Sequence, residues 1–166
     1  MLLAGALPAS ADITGTIDAT ITLVSGCVVN GDNHADEASG ADFGQLDFDQ
    51  QTTLFTSADA QVVGSAGSIQ VQCTAGVAPR LVFGAGQNDG QGAGPGDRAM
   101  HDGSGSYVNY QLYSDAGMST PLDIGDAITL ADDGSLQAVA VYARAWGAAG
   151  LVPGTYDDII TVVLEL

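Results

Sequence analysis

The longest regular pattern in the sequence is an alternation of apolar and polar residues over Ile13–Leu23. Odd positions carry apolar or small residues, and even positions carry threonine or aspartate. A period of two with many β-branched side chains is typical of a strand that buries one face. Such a strand spans roughly 35 Å at about 3.3 Å per residue. The pattern therefore predicts an unusually long strand close to the N-terminus.

Shorter alternating runs follow at intervals of roughly ten residues, with turn-forming residues between them. They predict strands over Phe43–Phe48, Ser68–Thr74, Pro79–Gly84, Tyr107–Tyr113, Leu136–Trp146 and Asp158–Leu166, and shorter ones around Leu122–Ile124 and Ala127–Leu130. Gly26 and the pair Asn30-Gly31 are expected to break the chain, Asp32–Asp42 to form a polar loop, and Gln50–Gly67 has no clear pattern. No segment combines helical spacing with caps. The sequence therefore predicts an all-β, immunoglobulin-like sandwich.

The alternation also predicts which side chains face the core. The expected inward residues are Leu46, Phe48, Ile69, Val71, Cys73, Leu81, Phe83, Val108, Tyr110, Leu112, Val139, Val141, Ala143 and Ala145. The two cysteines, Cys27 and Cys73, fit an exported protein with one disulfide. The alternative is a cytoplasmic protein with two buried free thiols.

Composition narrows the class of protein. The net charge is −17, from 20 acidic residues against three arginines, and there is no lysine. This balance repels nucleic acid and anionic membrane surfaces, so that both are poor partners. With 46% hydrophobic and only 14% charged residues, the chain is not a disordered acidic tail. Its length suits a single domain.

The N-terminus resembles the end of a secretory signal. An apolar stretch ends in Ala9-Ser10-Ala11, which has the small residues of a cleavage site, although the basic segment that usually precedes it is missing. We expect residues 1–11 to be a signal remnant and the mature chain to begin near Ala11 or Asp12. No run approaches the roughly 20 apolar residues that span a membrane.

Several groups of residues that could form a metal, nucleotide or catalytic site lack the residue spacing that such sites require. His34 lies near Asp36, and His101 lies near Asp102, but neither histidine belongs to a metal-ligand spacing. The glycines of the long Ala85–Gly105 loop do not match a nucleotide-binding motif, and no nucleophile elbow occurs. We therefore predict no catalytic residues, no metal, no cofactor and no enzymatic activity.

Five stretches in order carry a resemblance to a known family. They are Thr14-Gly15 with Ser25-Gly26-Cys27, then Phe43–Phe48, Ile69–Thr74, Val108–Asp115, and Val152-Pro-Gly-Thr-Tyr-Asp-Asp-Ile-Ile-Thr-Val162. Together they resemble the spore coat protein U domain, the subunit fold of archaic chaperone–usher pili. The resemblance extends from Ile13 to Leu166.

The resemblance implies donor-strand complementation. Such pilins have an incomplete sandwich whose apolar groove is filled first by a periplasmic chaperone and then, at an outer-membrane usher, by the N-terminal strand of the next subunit. It assigns residues 12–24 as the donor strand and linker and 25–166 as the pilin domain. The expected donor residues are Ile13, Gly15, Ile17, Ala19 and Ile21, with Gly15 where the groove is shallow. The expected acceptor residues are Ile160, Val162 and Leu164.

The implied protein is a secreted shaft subunit of a surface pilus, with identical subunits as partners and roles in adhesion or biofilm. A tip adhesin carries a second domain, for which we expect no room.

Other interpretations stay open at this point. Ile13–Leu23 could be an ordinary first strand, or could fold back into its own groove, or Thr20–Val24 could serve as the first strand of the domain. In a different class, the protein would be a monomeric secreted module that binds a ligand through Ala85–Gly105. For the aromatic residues Trp146, Tyr142 and Tyr156, we expect a role in core and edge packing and not in ligand binding.

Overall fold

A computed structural model describes residues 13–166, and every regular element in that range is a β-strand. The strands are β1 (Gly26–Val29), β2 (Asp32–Ala35), β3 (Gln45–Leu46), β4 (Ser57–Val63), β5 (Ile69–Cys73), β6 (Arg80–Phe83), β7 (Arg98–His101), β8 (Tyr107–Tyr113), β9 (Pro121–Leu122), β10 (Ala127–Thr129), β11 (Gln137–Val139), β12 (Tyr142–Trp146) and β13 (Val162–Glu165). The predicted all-β class is confirmed.

The strands form three sheets that share one core. One sheet has the order β11-β5-β1-β2, a second has the order β10-β6-β13, and the third runs β3-β4-β12-β8-β7 with β9 beside β8. All the pairings are antiparallel. Cys27 on β1 lies directly opposite Cys73 on β5, and the two form a disulfide. The predicted disulfide is therefore confirmed.

The core is made by the inward faces of these strands. The buried residues include the predicted Ile69, Val71, Cys73, Leu81, Phe83, Val108, Tyr110, Leu112, Val139, Val141, Ala143 and Ala145. Leu46 and Phe48 are only half-buried, although they pack against this core. The period-two reading of side-chain direction was thus correct in the strands, because each pairs within a sheet that has one buried face.

The sequence pattern did not predict three of the strands, each for a physical reason. β2 lies in the expected polar loop Asp32–Asp42 and is held by backbone pairing to β1. β4 lies in the unassigned Gln50–Gly67 stretch, since small alanines at its inward positions weaken the hydrophobic signal. β7 lies inside the expected Ala85–Gly105 loop, because its first residue, Arg98, is fully buried and disguises the alternation.

Three strand boundaries also differ from the prediction. Gly26 begins β1 instead of ending a strand, and Thr74 holds it by a backbone hydrogen bond of 3.0 Å. The predicted strand Leu136–Trp146 is two strands, since β11 pairs with β5 whereas β12 pairs with β4 and β8 in another sheet. The predicted strand Asp158–Leu166 is regular only over β13.

Candidate functional site: a groove beside the last strand

Within the described chain, β13 is paired along only one edge, to β6. Just before it, the Thr161 N–H donates to the Ala85 carbonyl at 2.9 Å, and the Thr161 carbonyl accepts from Gly84 N–H at 2.8 Å. Hydrogen-bonding direction alternates along an antiparallel strand. The N–H groups of Val162 and Leu164 therefore point to the other edge, which is free.

The side chains of this segment are apolar on both faces, as the sequence indicated. Ile160, Val162 and Leu164 are half-buried and pack against the core. On the opposite face, Ile159 and Val163 are 66% and 47% exposed. The three predicted acceptor residues thus share one face, but their burial is incomplete.

A groove of about 1470 Å³ lies between this segment and residues 41–55, which include β3. Phe43, Leu46 and Phe48 line it on the β3 side and also contact the core. Its other lining residues include Ala58, Ile69, Val108, Tyr110 and Ala145 from the core strands and Ile160 and Val162 from the last segment. Small-molecule pockets measure about 300–1,000 Å³. The groove is therefore better suited to an extended polypeptide segment than to a small ligand.

A second cavity, of about 310 Å³, continues the groove toward the end of the chain. The two cavities share Ala41, Phe43 and Val162 as lining residues, and the smaller one reaches Leu164. His34 also lines the smaller cavity, and its Nε2 is buried without a hydrogen-bond partner among the described residues. The combined groove therefore follows the whole of β13.

One side of the groove is fixed by Asn30, in the turn between β1 and β2. Its backbone has a φ of 49°, a conformation that asparagine tolerates better than most residues. Its Nδ2 donates to the Asp42 carbonyl at 2.8 Å, and its Oδ1 accepts from Gln70 N–H at 2.9 Å. One side chain thus joins the turn, β5 and the groove wall. The sequence indicated the turn but gave no sign of these distant partners.

Asp158 fixes a second part of the groove, at the segment that precedes β13. Its Oδ2 accepts from the Tyr110 hydroxyl at 2.6 Å, and its Oδ1 accepts from Gln87 N–H at 2.8 Å. Burial, followed by the hydrogen bond to Asp158, raises the pKa of Tyr110 far above its ordinary value. The hydroxyl therefore stays protonated and keeps donating, so that the Tyr110 ring stays in place in the groove, with Phe48 edge-on at 6.1 Å.

The predicted donor segment lies outside this groove. Residues 13–25 form no strand and line neither cavity. Ile13, Ile17 and Ile21 are 100%, 97% and 81% exposed, Ala19 is exposed, and a side chain at Gly15 would meet open space. The chain thus presents its most regular apolar face to solvent. The roles of the five donor and three acceptor residues stay predictions.

The exposed segment also bears on the three alternative interpretations of the N-terminal stretch. The interpretation of Thr20–Val24 as the first strand of the domain is wrong, because these residues are exposed and β1 begins at Gly26. In the described range, Ile13–Leu23 is neither an ordinary strand of the sandwich nor folded into the groove of its own chain. The expected signal remnant, residues 1–11, lies outside the described residues.

The Ala85–Gly105 segment is more ordered than an open binding loop. Its Gly94 N–H donates to Asn109 Oδ1 at 3.1 Å, and Asp97 N–H donates to Gln111 Oε1 at 3.2 Å. The segment thereby covers polar side chains of β8 and then forms β7. A ligand-binding role for it stays a prediction.

His101 makes contacts within its own loop and strand. His101 stacks on Tyr107 with the ring centroids 4.6 Å apart, and its Nε2 accepts from Gly105 N–H at 3.1 Å. Among residues 13–166, no group of three or more potential metal ligands is found. No helix in that range is long and apolar enough to cross a membrane.

Comparison with known proteins identifies the family. Comparison with curated protein sequences finds no significant match. Among solved structures, the chain is similar to a chain of the CsuC–CsuE chaperone–tip adhesion subunit pre-assembly complex from archaic chaperone–usher Csu pili of Acinetobacter baumannii. The sequence identity is 14%, the TM-score is 0.48, and the similarity covers 87% of this chain and 40% of that chain. Residues 13–163 match the spore coat protein U domain. The chain therefore belongs to the spore coat protein U domain family.

Proposed function

We propose that this protein is a structural subunit of a surface pilus that polymerises by donor-strand exchange. In each contact, Ile13–Leu23 of one subunit enters the groove of the next and pairs with the free edge of β13. Main-chain hydrogen bonds supply affinity, and the alternating side chains set the register.

The observation that supports this proposal is the presence of two complementary features on one chain. The groove has an unpaired strand edge and apolar walls. The exposed N-terminal segment has one apolar face with period two, and roughly 35 Å of extended strand is enough to follow β13 along its length. Within the described chain, the strand edge has no hydrogen-bonded partner strand, and the apolar face of the segment packs against nothing.

The energies are adequate for a stable contact. Each fully buried isoleucine contributes on the order of 1.5–3 kcal/mol. Ile13, Ile17 and Ile21 together therefore supply roughly 5–9 kcal/mol before the association cost is subtracted. Gly15 fits a shallow part of the groove, because a side chain is absent there.

The same features support a proposal for the assembly partners. An apolar groove with a free strand edge aggregates unless it is covered. We therefore infer that a periplasmic chaperone occupies the groove until an outer-membrane usher replaces it with the next donor strand, and that the polymer reaches the cell surface. A contact between two different surfaces on identical subunits does not close and builds an open filament.

We assign the protein to the shaft of the pilus. A subunit within a shaft needs a donor and an acceptor, and this chain carries a candidate for each. A terminal subunit needs only the acceptor. Adhesion and biofilm formation follow from a surface filament as proposed roles.

The test is a matched pair of variants, Ile17→Asp and Thr16→Asp. Both add one negative charge to neighbouring positions of the same segment, but only Ile17 belongs to the apolar face. We expect Ile17→Asp to abolish filaments in electron micrographs of protein sheared from cells. Unboiled samples on a denaturing gel should then lose the multimer ladder. Thr16→Asp should retain filaments and ladder.

Assembly by both variants, or by neither, would contradict the face-specific insertion. If Ile17→Asp leaves a soluble monomer that still performs adhesion, a binding module that acts through Ala85–Gly105 becomes the better explanation. The double variant Gln87→Ala/Gln91→Ala in the wild-type background separates these two cases, because it changes exposed side chains of that segment, leaves its backbone hydrogen bonds in place, and should still allow a shaft subunit to polymerise.

A further inference from the structure

The outer surface of the β4-β12-β8 sheet carries a group of aromatic side chains that the groove does not use. We call the outward side chains of Tyr113, Tyr142 and Trp146, with Arg144 and Asp59 between and beside them, the aromatic face. Along β12, the inward residues are fully buried alanines, whereas Tyr142, Arg144 and Trp146 are partly exposed. These aromatics are not among the residues that pack against the core. The packing role expected for Trp146 and Tyr142 is therefore not a core role.

The strand register brings these side chains together. Tyr142 lies directly opposite Tyr113 on β8 and opposite Gln61 on β4. Two residues further along β12, Arg144 lies opposite Asp59, and Trp146 follows after another two residues. At about 3.3 Å per residue, Tyr142 and Trp146 are roughly 13 Å apart along the strand. The outward side of β12 therefore carries an aromatic ring at each end, with the Arg144–Asp59 pair between them.

The charge of the aromatic face differs from that of the whole chain. Arg144 donates two hydrogen bonds to Asp59, Nε to Oδ1 at 2.6 Å and Nη2 to Oδ2 at 2.7 Å. This pair is internally neutral, in a chain of net charge −17. The other two arginines are also engaged, since Arg80 bonds to Glu165 and Arg98 is buried. The chain therefore repels anionic ligands, while the aromatic face itself is neutral.

We propose that the aromatic face binds a neutral polysaccharide chain. Sugar rings have apolar faces that stack on tyrosine and tryptophan, and these residues also offer a polar hydroxyl or N–H at their edge. Gln61 and the Arg144–Asp59 pair supply further donors and acceptors for sugar hydroxyls.

The aromatic face is independent of the groove. Ala145 lines the groove from the inner side of β12, while Arg144 and Trp146 point away from it. Filling the groove therefore leaves the aromatic face free. A single chain should bind the polysaccharide, and only the gain from many copies in a filament rests on the proposed function.

The protein contains a single tryptophan, and this residue lies on the aromatic face. Its fluorescence therefore reports on this face alone. We would titrate the purified full chain with cellohexaose, a neutral oligosaccharide, and with hyaluronan as an anionic counterpart, and measure acrylamide quenching of Trp146. Retention on microcrystalline cellulose gives a second readout. We expect cellohexaose to shift the emission and protect Trp146, and hyaluronan to have no effect.

Two variants test whether cellohexaose binds at the aromatic face. Tyr142→Ala should weaken cellohexaose binding roughly tenfold, as the loss of one stacking ring does at about 1.4 kcal/mol. Leu136→Ala is the matched control, since Leu136 is 60% exposed just before β11, which belongs to another sheet. Circular dichroism checks that each variant is folded, and filaments formed by Tyr142→Ala would show that the groove is unaffected.

Three results would overturn the proposal. One is unchanged Trp146 fluorescence together with no retention on cellulose. Another is binding that Tyr142→Ala leaves intact, which places the ligand elsewhere. The third is protection of Trp146 that grows with protein concentration in the absence of sugar, which makes the face a contact between copies of the chain.

Discussion

Asn30 is the residue whose side chain does most to position the groove. It bridges Asp42 and Gln70, and it occupies a φ of 49° that glycine also adopts without strain. Asn30→Gly therefore removes the hydrogen bonds while preserving the turn. At 0.5–1.5 kcal/mol for each bond, we expect a loss of about 1–3 kcal/mol in the free energy of unfolding, measured in urea.

Assembly should fall further in Asn30→Gly than the stability loss alone explains, because Asp42 begins the wall of the groove. Gly31→Ala is a comparison variant that strains the backbone of the same turn, at a φ of 98°, while retaining every Asn30 side-chain bond, so it separates turn strain from the loss of these bonds. Full stability and assembly in Asn30→Gly would contradict the positioning role.

The Asp59–Arg144 pair makes a small, pH-dependent contribution. The hydrogen bond from Arg144 lowers the pKa of Asp59, with burial opposing and the charge of Arg144 assisting. A group with a lowered pKa in the folded state stabilises the fold above its ordinary pKa of 3.8, and this contribution is lost as pH falls through the folded-state pKa. Both side chains are substantially exposed, so solvent screens the pair and the gain is small.

We therefore expect Arg144→Gln to unfold at slightly lower urea concentration than the wild type at pH 7. The difference should disappear at a pH below the folded-state pKa of Asp59, which NMR titration of its carboxyl locates. A difference that stays constant or increases in acid would contradict this assignment.

At the same scale, the sequence predicted inward side chains well and polar contacts poorly. Val108, Tyr110 and Leu112 alternate in the sequence, and all three are buried. Arg98 is also buried, and its guanidinium donates to the carbonyls of Leu122 and Gly84. A charge with carbonyl partners contributed by distant loops has no local signature, so that only the folded chain shows it.

At the scale of elements, the disulfide is the connection with the largest expected effect. It joins β1 to β5 across 46 residues and lies close to the start of the sandwich. A loop of that length stabilises by about 4 kcal/mol in the chain-entropy model. We expect the double variant Cys27→Ala/Cys73→Ala to lose about that much in urea unfolding.

Reduced wild-type protein provides the control for this loss. It should unfold near the midpoint of the double variant, because both lack the same cross-link. A loss below about 1 kcal/mol would show that the disulfide adds little to the stability of the sandwich.

Strands could be predicted from the sequence where a local pattern of apolar residues marks them. The prediction failed where pairing with a distant strand decides whether and where a strand forms. The run Leu136–Trp146 alternates without interruption, yet β11 and β12 join different sheets. Conversely, β2 has almost no apolar residue and exists because β1 offers an edge. The groove itself could be inferred only through family resemblance, since β13 looks like any apolar strand until its unpaired edge is seen.

At the scale of the whole molecule, we propose that the chain is one unit of a polymer. Its groove and its exposed segment lie apart in the single chain and are expected to meet only between chains. The sequence predicted a donor strand from its alternation, and the structure shows the free edge of β13 to which we propose it pairs.

Hydrogen–deuterium exchange at the backbone amides of Val162 and Leu164 tests this central claim most directly. Both amides point to the free edge of β13, and an inserted strand would bond to them. The comparison is between wild-type filaments and the monomeric Ile17→Asp variant. We expect slow exchange of both amides in filaments and fast exchange in the monomer. Equal, fast exchange in the two states would show that no strand is added at this edge and would contradict donor-strand assembly.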